Sequence, residues 1–304
     1  MTIRYSLRFH ASVLAGILAF LLVATPVSEA GLMYGLGAIP GSNTRLFQIN
    51  NYNTPSPTIS IIGSTGRRLG DIAISSSGTL YVVENVSSGN TNIYTANPNT
   101  AALSGPVFTL GAPGINSLAW TPGDVLFTYG SLSGNVWRID LVTNTASLLT
   151  TLPSVGGDMA WDPTDGSLYA VGLDMRLYKI NPGTGAFTLQ GIMNLGGPFA
   201  SIAVDYTGQM YATTALDNSA VLRYYSVNKN TGTSTLIADF TGLGLGTFGL
   251  GASVLPVPEP LSITLFAFGG LAGLVGLRYR FISQPRRSSV KTSKNQNPNP
   301  TVEI

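Results

Sequence analysis

The stretch DMAWDPTDGSLYAV, residues 158–171, contains two short apolar strands that are separated by a polar turn. Large apolar side chains alternate with other residues within each strand, which is the period-2 pattern of a β-strand. The turn, residues 162–166, consists of Asp, Pro, Thr, Asp and Gly, which favour tight turns. The stretch therefore predicts a β-hairpin.

The same hairpin recurs along the chain, as DIAISSSGTLYVV at 71–83, SLAWTPGDVLFT at 117–128 and SIAVDYTGQMYAT at 201–213. In each copy a third strand follows, with an aromatic residue and then Asn or Asp three positions later, and a polar turn leads to a fourth apolar strand. The aromatic residues of the second strands are spaced 47, 46, 42 and 42 residues apart, at Tyr34, Tyr81, Phe127, Tyr169 and Tyr211. Four short strands in a repeat of this length are typical of a β-propeller blade.

The two ends of the repeat region complete the count. Residues 32–35, 46–50 and 59–62 match the second, third and fourth strands of a blade, whereas residues 248–252 resemble a first strand with nothing after it. Joining these parts makes a fifth blade and leaves no exposed sheet edge in the ring. We therefore predict an all-β fold, a single five-bladed β-propeller with Velcro closure over residues 31–256. Arrays with one blade fewer, or with extra blades disguised by the loops, are the alternatives. The repeats resemble the NHL/YVTN-type group of blades in general shape.

The composition excludes several kinds of chemistry. Charged residues make up 10% of the 304 residues, against about 25% in an ordinary soluble domain. The chain has no Cys, and its single His is His10. Disulfides, thiolate zinc sites and a Cys nucleophile are therefore excluded, and chemistry that needs an imidazole is not expected.

The positive charge lies at the two ends of the chain. Residues 31–260 hold 8 Lys and Arg against 12 Asp and Glu, a net charge of −4, although the whole chain carries +2. This middle part shows no basic face, so we expect no nucleic-acid partner.

Residues 1–30 have the organisation of a secretory signal peptide. Arg4 and Arg8 form a positive region, an apolar run follows at 11–23, and small residues precede a cleavage site between Ala30 and Gly31. We expect signal peptidase to process the chain at this site and the protein to be exported. An uncleaved membrane anchor is the alternative.

A second apolar segment, residues 261–277, contains no charge. Its 17 residues span about 25 Å as a helix, close to the lower limit for crossing a bilayer. Four arginines follow it, at Arg278, Arg280, Arg286 and Arg287. Positive charge on this side predicts that the preceding domain lies outside the cytoplasm. An ordinary single-span anchor has the same orientation.

The triplet Pro258-Glu259-Pro260 precedes this predicted transmembrane helix. A Pro-Glu-Pro triplet, an apolar helix and an arginine cluster over residues 257–287 resemble the PEP-CTERM sorting signal of exported bacterial proteins. The resemblance implies processing by a membrane-embedded exosortase and a final place at the cell surface, the outer membrane or the biofilm matrix of a Gram-negative bacterium. Residues 288–304, a polar tail that we predict to be disordered, extend past the point where such signals usually end.

Aligning the blades places four polar side chains in one column at the start of the innermost strands: Asp71, Ser117, Asp158 and Ser201. In a propeller this column lies near one mouth of the central channel, so these oxygens could converge on a polar ligand. Oxygen ligands suit a hard cation such as calcium, which is the one cofactor this column suggests. Strand-end capping by the same groups is the alternative. Residues 162–166 look slightly like a calcium loop but lack its further ligands, and an Asx turn explains them.

No catalytic constellation is recognisable in the sequence. Glu84, predicted to lie on a loop after Val83, is the only Glu outside the sorting motif between residues 31 and 260, and one carboxylate does not make an acid–base pair. Three tyrosines lie off the repeated columns and are candidates for stacking on polysaccharide, namely Tyr52, Tyr129 and Tyr224. We therefore predict a non-enzymatic binding or structural module whose partner is an extracellular polysaccharide or a surface protein. A secreted propeller hydrolase, lactonase or lyase with a cation held by Asp71 and Asp158 is the alternative.

Overall fold

A computed structural model describes residues 33–38, 42–86, 88–196, 200–215, 221–243 and 246–252. These residues form twenty β-strands, and no helix among them is long and apolar enough to cross a membrane. In chain order the strands are β1 Met33–Ala38, β2 Arg45–Asn50, β3 Thr58–Ser64, β4 Leu69–Ile74, β5 Leu80–Glu84, β6 Thr91–Ala96, β7 Phe108–Leu110, β8 Ala119–Thr121, β9 Val125–Tyr129, β10 Asn135–Asp140, β11 Thr145–Thr151, β12 Gly156–Asp162, β13 Ser167–Gly172, β14 Arg176–Ile180, β15 Phe187–Ile192, β16 Ala200–Val204, β17 Met210–Ala215, β18 Leu222–Val227, β19 Ser234–Phe240 and β20 Gly246–Ala252.

The strands form five antiparallel sheets of four strands each. Blade 1 has the order β20-β1-β2-β3, and blades 2 to 5 are β4–β7, β8–β11, β12–β15 and β16–β19. The innermost strand of every blade contacts the innermost strands of both neighbouring blades, so the ring is closed. The predicted five-bladed β-propeller is confirmed, and the alternatives with fewer or more blades are wrong.

Blade 1 contains strands from both ends of the described chain. β20 pairs with β1 in an antiparallel register that places Tyr34 opposite Gly251 and Gly249 opposite Leu36. The other three strands of this sheet come from the start of the repeat region. This is the Velcro closure that the incomplete terminal repeats predict.

The turns between the third and fourth strands of blades 2 to 5 share a local structure. The first residue of each turn is Asn or Asp, and its side-chain oxygen accepts hydrogen bonds of 2.8–3.1 Å from backbone N–H groups two or three residues later, as at Asn97, Asp140, Asn181 and Asn228. The fifth residue has a positive φ, as at Ala101, Asn144, Gly185 and Gly232. Glycine and Asn tolerate this conformation best. The recurring Asn or Asp that marks the third strand in the sequence is therefore a turn-forming residue.

The hydrophobic core lies between neighbouring blades. Five clusters of buried side chains fill the five seams of the described ring, and each cluster draws residues from two adjacent sheets. The cluster between blades 5 and 1 contains Tyr52 from blade 1 together with Tyr211 and Tyr224 from blade 5. The inner strands therefore bury side chains on both faces, as in β1, β4 and β13, whereas the fourth strands β3, β11, β15 and β19 are largely exposed.

Candidate functional site

The aligned polar column lies on the inside of the ring. Asp71, Asp158 and Ser201 are in innermost strands, Ser117 is two residues before β8, and all four are almost completely buried. Gly249, the residue of blade 1 at the equivalent position, lies in β20. The repeat alignment therefore identifies equivalent positions correctly.

Asp71 ties blade 2 to blade 3. One carboxylate oxygen accepts a hydrogen bond of 2.6 Å from the N–H of Ile72, and the other accepts one of 2.5 Å from the N–H of Leu118 in the next blade. Asp71 thus holds the innermost parts of two blades together.

Asp158 makes the same connection from blade 4 to blade 5. Its Oδ1 accepts from the N–H of Met159 at 2.7 Å, and its Oδ2 accepts from the N–H of Ile202 and the hydroxyl of Ser201, both at 2.6 Å. Ser117, by contrast, bonds within its own blade, to the N–H and the carbonyl of Tyr129. Three of the four column residues therefore converge, and Ser117 does not join them.

The carboxyl groups of Asp71 and Asp158 also contact each other through a hydrogen bond. Burial raises the pKa of Asp71 well above its usual range, and the nearby charge of Asp158 raises it further. Burial raises the pKa of Asp158 to about 6, although hydrogen bonds from Asp71, Ser201 and the backbone oppose this shift. The hydrogen bond between them raises the pKa of Asp71 and lowers that of Asp158, so a proton shared by the pair lies on Asp71 and is donated to the Asp158 carboxylate.

This arrangement links blades through buried hydrogen bonds, and the oxygens of both carboxyl groups are already occupied. Four backbone N–H groups and the Ser201 hydroxyl donate to the two carboxyl groups. A cation would have to compete with these donors for the same oxygens. Among the residues that the structure describes, no group of three or more His, Cys, Asp or Glu side chains is placed to hold a metal ion.

The calcium-like stretch 162–166 is an Asx turn. Asp162 Oδ1 accepts from the N–H and the hydroxyl of Thr164, at 2.8 and 2.7 Å, and its Oδ2 binds Lys229 of blade 5. Asp165 instead accepts from Lys179 Nζ and the Tyr169 hydroxyl, both at 2.9 Å. The two carboxylates therefore bind different lysines and do not share a ligand.

Glu84 is the last residue of β5, so its predicted place on a loop is wrong. Its carboxylate accepts from Arg67 at 2.8 Å, Asn92 at 3.0 Å and Tyr94 at 3.2 Å. Burial alone would raise the pKa of Glu84, but these hydrogen bonds outweigh burial and the pKa is lowered. A carboxylate held ionised by three donors is poorly suited to act as a general acid.

The three tyrosines that the sequence suggests as a polysaccharide-stacking surface are buried, so that prediction is wrong. Tyr52 is 3% exposed, and Tyr129 and Tyr224 are completely buried. Tyr52 packs edge-on against Tyr211 with ring centroids 5.4 Å apart, and Tyr224 stacks on Tyr211 at 5.5 Å. Tyr129 donates to the carbonyl of Ser154 at 2.5 Å. These side chains lie off the repeated columns because they fill seams between blades.

Two cavities, which the sequence did not suggest, lie on blade 5, and the smaller one reaches the seam with blade 1. Their volumes are about 380 and 640 Å³, and Gln209 and Ser226 line both. The smaller cavity is lined by Asn53, Thr54, Pro55, Gln209, Tyr211, Ser226, Leu236 and Ile237. The larger is lined by Gly208, Gln209, Ser226, Val227, Asn228, Lys229, Thr231, Thr233 and Thr235. We call the two cavities together the seam cleft.

The residues predicted to direct export and sorting lie outside the described residues. They are Ala30, Gly31, Pro258, Glu259, Pro260, Arg278, Arg280, Arg286 and Arg287. The predicted transmembrane helix at 261–277 lies outside them as well.

Solved structures that are similar to this chain share its architecture. A chain from the crystal structure of a nidogen–laminin complex has a TM-score of 0.52 at 11% identity, over 74% of this chain and 98% of its own length. TolB from Acinetobacter baumannii has a TM-score of 0.46 at 14% identity, over 78% of this chain and 60% of TolB. A protein of unknown function from Bacteroides thetaiotaomicron has a TM-score of 0.49 at 15% identity, over 72% of this chain and 64% of its own. These similarities concern the fold alone.

No family model matches the chain, and no curated protein matches it in sequence. The chain spans about three fifths of the TolB chain. Function therefore has to be argued from the chain's own residues.

Proposed function

We propose that the chain is an exported β-propeller that acts without catalysis, as a binding or structural module at the cell surface or in the biofilm matrix. The observation that carries this proposal is the state of the two channel carboxyl groups. Asp71 and Asp158 are completely buried, and their oxygens accept hydrogen bonds from the backbones of adjacent blades. Groups that link blades in this way stabilise a rigid scaffold and are closed to a substrate.

The proposed location rests on the terminal segments of the sequence. A signal peptide at 1–30 and a segment resembling a PEP-CTERM signal at 257–287 flank the propeller. In this proposal signal peptidase and an exosortase process the chain, and the helix at 261–277 holds it in the membrane until the second step. The net charge of −4 over residues 31–260 is compatible with an extracellular domain that does not bind nucleic acid.

The sorting part is tested by replacing Pro258, Glu259 and Pro260 with Ala in a host that carries an exosortase. The variant should keep its C-terminal segment and remain in the inner membrane, which mass spectrometry and cell fractionation would show. A mature mass equal to that of the parent chain would contradict exosortase processing at this motif and leave an ordinary anchor. Ser293→Ala in the polar tail is the control, and it should be processed as the parent chain is.

The binding part is tested by presenting the exported chain to a glycan array and to extracts of cell-surface proteins. Retention on a glycan or a surface protein supports a binding module. The hydrolase alternative is favoured by the meeting of Asp71 and Asp158, and it predicts a cation there. A melting temperature that rises with calcium and falls with chelator would support that alternative and overturn the non-enzymatic interpretation of the channel pair.

A further inference from the structure

We infer that the seam cleft binds an extended neutral polysaccharide. The inference rests on the proposed function, because a polysaccharide of this kind is met outside the cell. It adds to that function a place on the propeller and a chemical class of ligand. It is carried by a comparison of equivalent positions in the blades.

Ser226, which lines both cavities, occupies a position that carries a long side chain in blades 3 and 4 and the short Thr95 in blade 2. The third-strand residue paired with the second-strand aromatic is Arg138 in blade 3 and Lys179 in blade 4. In blade 5 it is Ser226, opposite Tyr211. Lys179 extends over the ring of Tyr169, with its Nζ 5.8 Å from the ring centroid. Ser226 is too short to cover Tyr211 in this way, and both residues line the smaller cavity.

The fourth-strand residue that lies opposite this position is the same in blades 4 and 5. Lys179 lies opposite Thr188 on the fourth strand, and Ser226 lies opposite Thr235. The fourth-strand neighbour is therefore Thr in both blades, and the two pairs differ at Lys179 and Ser226. The ring of Tyr211 thus lacks the cover that Lys179 gives to Tyr169 in blade 4, and Tyr211 lines the smaller cavity.

The lining of the seam cleft suits sugar hydroxyl groups. Thr231, Thr233 and Thr235 line the larger cavity and all three are exposed, and the hydroxyl groups of Thr231 and Thr233 are 2.9 Å apart. Gln209, Asn228 and Ser226 line the same cavity. Hydroxyl and amide groups both donate and accept hydrogen bonds, as sugar hydroxyls do.

The apolar part of the lining suits the C–H faces of sugar rings. Pro55 from blade 1 and Leu236, which is 48% exposed, line the smaller cavity together with Tyr211. Tyr206, which is half-buried, lies near Tyr52 and Tyr211 at the same seam. A cleft with polar groups along one part and apolar groups along the other fits a ligand that is itself amphipathic.

The charge of the seam cleft favours a neutral ligand. Among the described residues that line it, Lys229 is the single charged one, and it is ion-paired with the buried Asp162. An anionic polysaccharide would therefore find no uncompensated positive charge in this lining. Each cavity lies within the range of about 300–1,000 Å³ that is usual for small-molecule sites, and two cavities with common lining residues suit several consecutive sugar units.

The test compares the exported full chain with variants by affinity gel electrophoresis in gels that contain hydroxyethyl cellulose as the neutral polysaccharide or alginate as the anionic one. A polyoxyethylene detergent keeps the chain in solution without adding a sugar headgroup. Ser226→Lys reproduces the Lys179–Thr188 pair of blade 4 and should weaken binding to hydroxyethyl cellulose at least tenfold. Thr95→Lys introduces the same charge at the corresponding position of blade 2, which also carries a short residue, and it should leave binding unchanged.

A second variant guards against misfolding. Thr235→Gln is a neutral change at an exposed position in the cleft, and it should weaken binding while the melting temperature stays the same. Equal binding by the parent chain, Ser226→Lys and Thr235→Gln would overturn the assignment to the seam cleft and leave the binding function intact. Retention by alginate alone, or by a surface protein with no neutral polysaccharide bound, would overturn the ligand class. In the Pro258–Pro260 experiment, a mature mass of the variant equal to that of the parent chain would instead count against the proposed function.

Discussion

Gly185, the last residue of the turn between β14 and β15 of blade 4, has a φ of +73°. A Cβ added at this residue would lie 2.5 Å from the carbonyl oxygen of Leu149 in blade 3. Gly185→Ala should therefore lower the free energy of unfolding by about 2–4 kcal/mol, because the left-handed conformation costs about 1–2 kcal/mol and the contact adds overpacking strain. Denaturant titration of the folded chain measures this loss.

Gly66→Ala is the matched control. Gly66 has nearly the same backbone angle, +71°, but an added Cβ would meet no atom within 4 Å. Its loss of stability should stay at about 1–2 kcal/mol, the cost of the conformation alone. Equal losses for the two variants would contradict a steric role for the close approach between blades 3 and 4.

The shared proton of Asp71 and Asp158 predicts a dependence of stability on pH. The folded-state pKa of Asp71 is raised above its unfolded value, so at pH values above the unfolded pKa the folded state binds more protons than the unfolded state. Its contribution is fully present below the unfolded pKa and is lost as the pH rises, by about 1.4 kcal/mol per pH unit. The raised pKa of Asp158, about 6, adds a loss of the same sign between its unfolded pKa and that value.

Asp71→Asn keeps a neutral donor next to Asp158 and removes the titrating group. The variant should be less stable than the parent chain at about pH 5 because one acceptor oxygen is lost, and its stability should decline less steeply from there toward neutral pH. Glu84, Asp140 and Asp165, whose pKa values are lowered, contribute equally to the stability of both proteins. The difference between the parent chain and the variant in denaturation at each pH therefore reports the contribution of Asp71 and Asp158. Parallel curves for the two proteins would show that Asp71 is ionised in the folded state.

The same residues show how far a sequence can locate a site. Alignment of the repeats predicts that Asp71, Asp158 and Ser201 share one column, because equivalent positions of successive blades point the same way. It cannot predict that Asp71 accepts from the Leu118 N–H rather than binding a ligand, since that depends on how closely neighbouring blades approach. Most of the donors that satisfy the two carboxyl groups are backbone groups, which carry no sequence signal.

At the scale of elements, the seam between blades 5 and 1 depends on stacked aromatic rings. Tyr224 stacks on Tyr211 and donates to the carbonyl of Tyr52 at 3.2 Å. Tyr224→Ala should cost about 3–5 kcal/mol, the usual range for truncating a buried aromatic residue. Hydrogen exchange should then speed up most in the strands of blades 1 and 5.

Tyr178→Ala is a comparison at the seam between blades 3 and 4, where Tyr178 is 3% exposed. It should lower stability by a similar amount but leave the exchange rates of β1–β3 closer to those of the parent chain. If both variants change exchange in all five blades alike, the seam between blades 5 and 1 opens no more readily than the others.

The strands are predictable because the sequence alternates with period 2 and marks each turn with Asn, Asp, Gly or Thr. Their observed ends can extend the predicted ones by one or two residues, as in β3, where the pattern indicates 59–62 and the strand runs from Thr58 to Ser64. The prediction for the seam tyrosines is wrong because a position outside the repeated columns need not lie on the surface. Tyr52 belongs to a hairpin that packs between two blades, which a comparison of strands alone does not include.

The sequence contains one feature that is related to the seam cleft, the short residue Ser226 in the third strand of blade 5. Ser226 stands at the repeat position of Lys179 and Arg138. A small residue where blades 3 and 4 have a long one permits a gap but does not by itself mark a cleft, since blade 2 has the short Thr95 at this position. The register itself includes a shift between Tyr224 and Tyr225 that the sequence does not reveal.

At the scale of the whole molecule, ring closure depends on one strand. A chain that ends before Gly246 would leave the inner edge of β1 without the partner that β20 provides. Unpaired edges recruit other strands, so the shortened chain should form dimers or larger aggregates, which size-exclusion chromatography with light scattering would detect. A chain that ends after Ala252 is the control and should remain monomeric; a monomeric shortened chain would contradict the closing role of β20.

The pairing of β1 with β20 brings residue 34 next to residue 251, and this sets an order of events during folding. The hairpins of blades 2 to 5 can form from neighbouring segments as soon as they are available, whereas β1 lacks its partner until almost the whole repeat region has been made. The entropy of closing a loop grows only slowly with its length, so the distance costs little in final stability. Contacts between such distant residues nevertheless slow folding. For a chain that becomes available from its N-terminus, ring closure therefore waits for β20, the last of the described strands, and blade 1 is the last blade to be completed.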